Sequence, residues 1–336
     1  MEIVSSAALR TQVMSDGSAS VPHAGEGSSV GASSGTSPGP RRHRYEWSAM
    51  TPFILSHLAV LAVVWTGVTW QAVVVCAVLW AVRTFGVTGV YHRYFSHRTY
   101  ETSRVFQFVL AFLAQTSAQR GVLWWAAHHR RHHLHSDDPK DLHSVRQDGF
   151  WHAHVMWIFA DSSETDWKRI RDFSKYPELV WLNKYWLLPP TITAVAIWLL
   201  FGWSGLVIGF FLATVLNWHS TYLINSLCHV WGNRRWDTKD DSKNNLFLAL
   251  LTFGEGWHNN HHHYMNSCRQ GFYWWEIDIT YYILKAMSWV GLVWGIKEPP
   301  ARLLAEGRRR DAARRAAQAP SLAPVEARTV VNTVDA

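Results

Sequence analysis

Hydropathy along this chain alternates between long apolar runs and polar stretches crowded with histidine and arginine. Residues 51–67 and 70–91 are apolar runs separated by a short turn at 67–69. Each approaches the ~20 residues a helix needs to cross a bilayer, so the pair predicts a membrane hairpin. Residues 185–201 and 205–225, joined around Gly202 and Gly205, predict a second hairpin, with Pro189 and Pro190 expected to kink its first arm. Arg83, the one charge within 70–91, is expected to face the bundle interior or a polar cavity, because lipid does not solvate it. His57 is expected to be packed and hydrogen-bonded.

Residues 102–123 are apolar but carry Arg104, Gln107, Gln115, Gln119 and Arg120, which predicts an interfacial or half-inserted helix. Residues 136–178 mix both charges and predict a polar cap. Residues 271–295, rich in Trp and Tyr, predict a surface-lying aromatic helix, and the Ala/Arg-rich 300–317 a further helix. Residues 1–40, rich in Ser, Gly and Ala and lacking an apolar core, predict a disordered tail and not a cleaved signal. The chain thus divides into a tail at 1–40, a membrane domain at 41–299, and a basic, partly disordered tail at 300–336. The fold class is all-α integral membrane: four transmembrane helices in two hairpins with a cytosolic helical cap. The basic run at 41–44 marks a cytoplasmic flank. Two hairpins then bring both termini and the cap to the cytoplasmic side. Arg98, Arg130, Arg131, Arg234, Arg235 and Lys239 all fall there, while the two opposite turns carry no Lys or Arg.

The polar stretches at the ends of the runs carry the chemistry. His129, His132 and His133 stand at i, i+3 and i+4, and His258, His261 and His262 repeat that spacing. On a helix such positions share a face, with Cβ atoms about 5–6 Å apart. His92 and His97 precede them, and a lone His229 lies between the clusters. His92 and His97 are five apart, about 140° of rotation on an α-helix. A chain break between them is therefore expected, turning His97 back. Nine histidines in four groups read as a two-metal site. An extra crossing by 102–123 would put His129 and His92 on opposite sides of the bilayer, so a shared site excludes it. Asn225, four before His229, is a further candidate contact, direct or through water. Glu255 is expected at most to support a ligand, and Asp137 and Asp138 either orient ligand histidines or serve as solvated caps. His128, His135 and His263 adjoin the clusters but point elsewhere, and His143, His152 and His154 belong to the cap.

Composition narrows the metal. The three cysteines, Cys76, Cys228 and Cys268, form no CxxC pair, which argues against a disulfide framework or an iron–sulfur cluster. Structural zinc needs four ligands, commonly including Cys. Two redox irons activating dioxygen suit nine histidines better. The net charge of +7 would suit nucleic acid, but the arginine excess is concentrated in the C-terminal tail and the body is apolar. Anionic lipid or an anionic substrate fits instead, and 21 tryptophans suit a membrane boundary.

The segments HRYFSH, HRRHH, NSLCH and HNNHH, in this order against two apolar hairpins, resemble the membrane fatty-acid desaturases of the acyl-CoA Δ9 (stearoyl-CoA desaturase-like) family, over roughly residues 50–296. The resemblance implies two iron ions with O2 as co-substrate and ligands His92, His97, His129, His132, His133, His229, His258, His261 and His262, with Asn225 contacting one metal through water. It implies a cis double bond, at Δ9, introduced into a long-chain saturated acyl thioester, namely acyl-CoA. Lys168, Arg169 and Arg171 are candidate phosphate contacts. No HPGG-type haem segment occurs in the sequence, so the electron donor is expected to be separate, such as ferredoxin or cytochrome b5 with its reductase. A bent acyl tunnel is implied too. Trp80, Thr84, Thr88 and His92 are spaced by four and form a stripe, with Trp80 expected to close the tunnel. Trp125 and Thr221 are further expected substrate contacts. The alternatives are a membrane di-iron fatty-acid or alkane hydroxylase, whose first box resembles HxxxH where this chain has HxxxxH, and a histidine-rich metal transporter. A transporter would need ligands inside the spans.

Overall fold

Residues 43–160 and 164–318 are described by a computed structural model, and the expected tail at 1–40 and the end of the C-terminal tail lie outside the described residues. Helix α1 (Trp47–Val60) is followed, after a turn at 61–62, by α2 (Val63–Thr66). Gly67 ends α2 at φ 66°, a left-handed conformation that glycine adopts without strain. Thr69 then caps α3 (Trp70–Phe85), its Oγ1 accepting the Ala72 N–H at 3.2 Å. Helix α3 continues without interruption as a π-helix over Gly86–Ser96. The long apolar helix Leu188–Val230 is broken at Gly202, whose φ of 65° and ψ of −159° no helix accommodates. It thus comprises α10 (Leu188–Ser204), a π-helical stretch Gly205–Leu212 and α11 (Ala213–Val230).

Among the described residues, Trp70–Ser96 and Leu188–Val230 are long and apolar enough to cross a membrane. The two turns that divide the helical pairs meet: Ser204 Oγ accepts the Thr69 N–H at 3.2 Å and donates to the Gly67 carbonyl at 3.1 Å. Pro189 and Pro190 do not kink α10. They occupy its first turn, where no N–H is required. Arg83 is fully buried as expected, donating to Thr214 Oγ1 at 2.6 Å and lying 4.5 Å above the Phe210 ring.

The remaining elements form the other end of the molecule. Strand β1 (Glu101–Thr102) pairs antiparallel with β2 (Val293–Trp294). Helix α4 (Arg104–Gln115), capped by Ser103, has 12 residues, about 18 Å of rise, too short for a bilayer. Then follow α5 (Val122–His135), α6 (Val145–Asp148), α7 (Phe150–His154), α8 (Arg171–Ser174) and α9 (Pro177–Lys184). After α11 come α12 (Leu246–Leu251), α13 (His258–His263), α14 (Ile279–Trp289) and α15 (Ala301–Gln318). The main core joins the π-helix to α4, α5 and α9 through Tyr91, Phe95, Leu110, Leu123, Leu179 and Leu182.

The aromatic stretch 271–295 is not one helix. Asp278 accepts the Gln270 and Gly271 N–H groups, holding 271–278 as a loop, and then caps α14 through the Tyr281 N–H at 3.0 Å. Helix α15 docks on the body, with Leu303 packed among Trp236, Phe272 and Tyr273.

Candidate metal centre

His92 lies inside the π-helix and His97 caps its C-terminal end, with no break between the two. The π-helix pairs residue i with i+5, and the His97 N–H donates to the His92 carbonyl at 3.2 Å. This winding brings the two rings to 4.8 Å centroid separation, where an α-helix would direct them apart.

Helix α5 carries His129, His132 and His133, and α13 carries His258, His261 and His262. The nine histidines assemble into two groups: His92, His97, His129, His133 and His261 in one, and His132, His229, His258 and His262 in the other. Each helix serves both groups. Its i, i+4 pair enters one and its i+3 residue the other.

The Nε2 atoms converge. In the first group, His97 faces His129 at 3.0 Å, His129 faces His133 at 2.9 Å, His133 faces His261 at 2.9 Å, and His261 faces His92 at 3.0 Å. In the second, His229 faces His258 at 3.1 Å. Four rings have their other nitrogen held by a carboxylate: His92 Nδ1 by Glu255 at 2.6 Å, His132 by Asp141 at 2.9 Å, His229 by Asp137 at 3.0 Å, and His262 by Asp240 at 2.6 Å. A carboxylate accepts, so each Nδ1 carries the proton and each Nε2 presents a lone pair. Lone pairs crowded at about hydrogen-bond distance repel one another unless a cation lies between them. His262 Nε2 is buried with no hydrogen-bond partner among the described residues, as a metal-facing nitrogen would be. The residues therefore fit metal ions in both groups.

Electrostatics agree. Burial, then neighbouring histidines, hold His129, His133, His258 and His261 well below the ordinary imidazole range, keeping their lone pairs free. Burial opposes the ionisation of Asp137, Asp141 and Asp240, yet their histidine N–H partners hold all three below the usual carboxylate range. His132 is raised, because Asp141 outweighs its burial.

One cavity, of about 40 Å³, adjoins the centre and is lined by His129, Trp125, Gln119, Thr221, Tyr222 and Asn225. A larger one of about 560 Å³ shares Gln119, Trp125 and Tyr222 and extends past Trp218, Phe211, Thr214 and Ala194. Gln119 stands at the junction, donating to Thr221 Oγ1 at 2.9 Å and Asn217 Oδ1 at 3.2 Å. Glu46 and Arg120 give the larger cavity a polar portion.

The fatty acid desaturase family model matches residues 68–292, a stretch that contains all nine histidines. This chain belongs to the fatty acid desaturase family. It is 34% identical over 261 residues to an sn-2 palmitoyl-lipid 9-desaturase from a Nostoc species, covering 76% of this chain and 91% of that one. It is 36% identical over 236 residues to an acyl-CoA C20 Delta5-desaturase of Anemone leveillei, covering 69% and 75%. It is also 35% identical over 252 residues to the Delta-9 acyl-lipid desaturase 2 of Arabidopsis thaliana, covering 74% and 81%. The chain is thus an oxidoreductase of the desaturase class.

Within this desaturase, Glu255 supports a histidine, and its position is fixed by buried Arg93, which also pairs with Asp278 at 2.8 Å. Asp137 holds His229, but Asp138 binds His135, outside both groups. Sequence reasoning missed Asp141, Asp240 and Arg93, because nothing in the local spacing joins them to their partners. It also put His143 in the cap. The structure buries His143 against His132, ring centroids 4.2 Å apart, where burial and then His132 push its imidazole down to about 3. His128 and His154 are buried too, and His154 bonds Ser226 and His219. His57 donates to or accepts from His219 at 3.1 Å, in keeping with a packed, hydrogen-bonded role.

Trp125, Thr221 and Asn225 border the small cavity. Trp80, Thr84 and Thr88 line neither cavity. Trp80 Nε1 donates to Ser220 Oγ at 3.4 Å, the Thr84 hydroxyl donates to the Trp80 carbonyl at 2.8 Å, and Thr88 meets Thr280 at 2.6 Å. Lys168 and Arg171 are exposed, and Arg169 pairs with Asp166 at 3.0 Å.

Proposed function

We propose that this desaturase introduces a cis double bond, at Δ9, into a long-chain saturated acyl group presented as a CoA thioester, in unsaturated fatty acid biosynthesis. The observation that carries this reading is the pair of convergent Nε2 groups, with a small cavity beside His129 that shares Gln119, Trp125 and Tyr222 with a larger, mainly apolar one. His92, His97, His129, His133 and His261 would hold one iron, and His132, His229, His258 and His262 the other, with Asn225 reaching it through water. Bound iron would supply the redox chemistry that activates dioxygen. The protein's own part is positional: the carboxylates fix the imidazoles, and the cavity wall holds one carbon pair against the centre, which sets bond position. Aromatic walls at Trp125, Trp218 and Tyr222 keep water from the chain. Arg120 faces the anionic head of the carrier, with phosphate as the recognised chemistry.

The same reading takes the helical pairs as four spans in two hairpins, with both termini and the metal centre cytoplasmic. In support, Leu58, Trp65, Trp70, Leu199, Leu200 and Trp203 are exposed on these helices, an apolar belt that water would not tolerate. The joined turns at Gly67 and Gly202 would mark the opposite face.

Fatty-acid profiling of cells with and without the expressed chain tests the reaction. A new monounsaturated acid supports it, whereas a hydroxy acid means a hydroxylase and altered cellular metal alone means transport. A labelled substrate pulse separates the carriers: the product appears first in the CoA pool for a thioester and first in intact lipid for an acyl-lipid.

A further inference from the structure

Both acidic residues of helix α15 are paired: Asp311 with Arg235 of the body at 3.0 Å, and Glu306 with Arg310 one turn along the same helix at 3.0 Å. Its outer surface exposes Arg302, Arg308, Arg309 and Arg315, none with a hydrogen bond or ion pair among the described residues. A bare cationic face of this kind creates a field that steers an anionic partner.

What lies beneath that face indicates the partner. Helix α15 covers Trp236, which is fully buried, with Arg310 lying 5.5 Å above its ring. Gly307 permits the close approach: a Cβ there would meet the Tyr273 hydroxyl at 2.4 Å and the Trp236 ring at 3.1 Å. Trp236 also stacks on His263, centroids 4.0 Å apart and planes within 1°. His263 adjoins His262 of the second histidine group. Asn259 and Asn260, inside the HNNHH segment, fix the indole by accepting its backbone N–H at 2.8 Å and its Nε1–H at 3.2 Å. The Trp236–His263 stack thus leads from the underside of the arginine face to the chain neighbour of His262, one peptide bond from the second histidine group.

We propose that α15 is the docking face for a small acidic one-electron carrier protein, seated over Trp236. The proposal rests on the desaturase reading, which creates the demand for such a partner. Converting –CH2–CH2– to –CH=CH– releases two electrons and two protons. Reducing O2 to two waters takes four of each. Two reduced carriers supply the missing two electrons, two protons come from solvent, and two oxidised carriers leave. An anionic lipid surface would also meet the charge, but it could not use the aromatic contact below.

The test measures binding of an acidic [2Fe–2S] ferredoxin to the full-length protein in detergent, with metal-free and iron-loaded samples run separately. Affinity should fall as salt rises, because surface charge pairs are screened. Arg308→Glu combined with Arg309→Glu should weaken binding about tenfold at low salt while leaving the melting temperature unchanged. Equal affinity in wild type and variant would overturn the docking face. So would a variant that loses binding to phosphatidylglycerol vesicles and keeps ferredoxin affinity, which assigns the arginines to the membrane. Product analysis of cells expressing the wild type judges the desaturase reading separately, since a monounsaturated product upholds it whatever the binding result.

Discussion

Asp240→Asn should cost one metal ion while leaving the fold intact. Asp240 Oδ2 accepts from His262 Nδ1 at 2.6 Å, while Oδ1 accepts from the Ser242 N–H at 3.1 Å and its hydroxyl at 2.5 Å. Two donors therefore hold one oxygen in place. In the asparagine variant the amide oxygen stays with Ser242, and the NH2 must take the position facing His262. His262 Nδ1 then has to accept, so its proton moves to Nε2 and the lone pair aimed at the second group is lost. Losing a ligand-orienting carboxylate lowers metal affinity about 10–100-fold, or roughly 1.4–2.7 kcal/mol. The assay is metal content after dialysis against a graded chelator. Wild type should retain two irons where the variant retains one, at chelator levels about 10–100-fold lower for the second site. Asp138→Asn is the control, because its partner His135 belongs to neither group. Equal chelator resistance in Asp240→Asn and wild type would refute the tautomer argument.

Three further outcomes are expected. His229→Ala should abolish product and lower iron content with membrane yield unchanged, whereas a histidine that only packs would lower yield and spare turnover. Arg93→Met removes the buried cation that Glu255 and Asp278 share and should destabilise by about 3–5 kcal/mol, read from thermal denaturation in detergent. Ala194→Trp, which fills part of the larger cavity, should shift preference towards shorter saturated chains, while Trp80→Ala, which borders neither cavity, should leave it unchanged; the opposite pattern in product profiles would return the tunnel to the threonine stripe.

The parts of this centre legible in sequence are those set by short-range geometry. The i, i+3, i+4 spacing on α5 and α13 announces three imidazoles on one face, since helix periodicity alone decides it. Gly67 and Gly202 likewise announce their turns, because few residues other than glycine adopt those backbone angles. His92 and His97 were misread because a 3.6-residue wheel assumes α-helical winding. The π-helix over Gly86–Ser96 changes the period, and it starts at Gly86, which packs so closely on α4 that a Cβ there would lie 3.0 Å from the Ala114 backbone. Asp141 and Asp240 stayed hidden because they reach their histidines through tertiary folding. His143 was hidden for the same reason, a polar residue in a polar stretch that ends up buried.

These gaps have one physical origin. Sequence spacing fixes the direction in which a ligand leaves its own helix, but not which nitrogen of its ring faces the metal. That choice is made by Glu255, Asp137, Asp141 and Asp240, each brought from another segment to one Nδ1–H. A helix carrying HxxHH without its carboxylate would still gather three rings, yet the ring that the acid holds, His132 on α5 or His262 on α13, would lose its fixed tautomer and could aim a proton at the site. The motif therefore specifies where a metal could bind, and the buried acids hold four of the nine rings with a lone pair turned towards that place. Transplanting the histidine spacing alone into another helical bundle should give a weak, metal-promiscuous site, and adding the four acids should tighten it. Equal affinity with and without them would mean that ring convergence alone suffices.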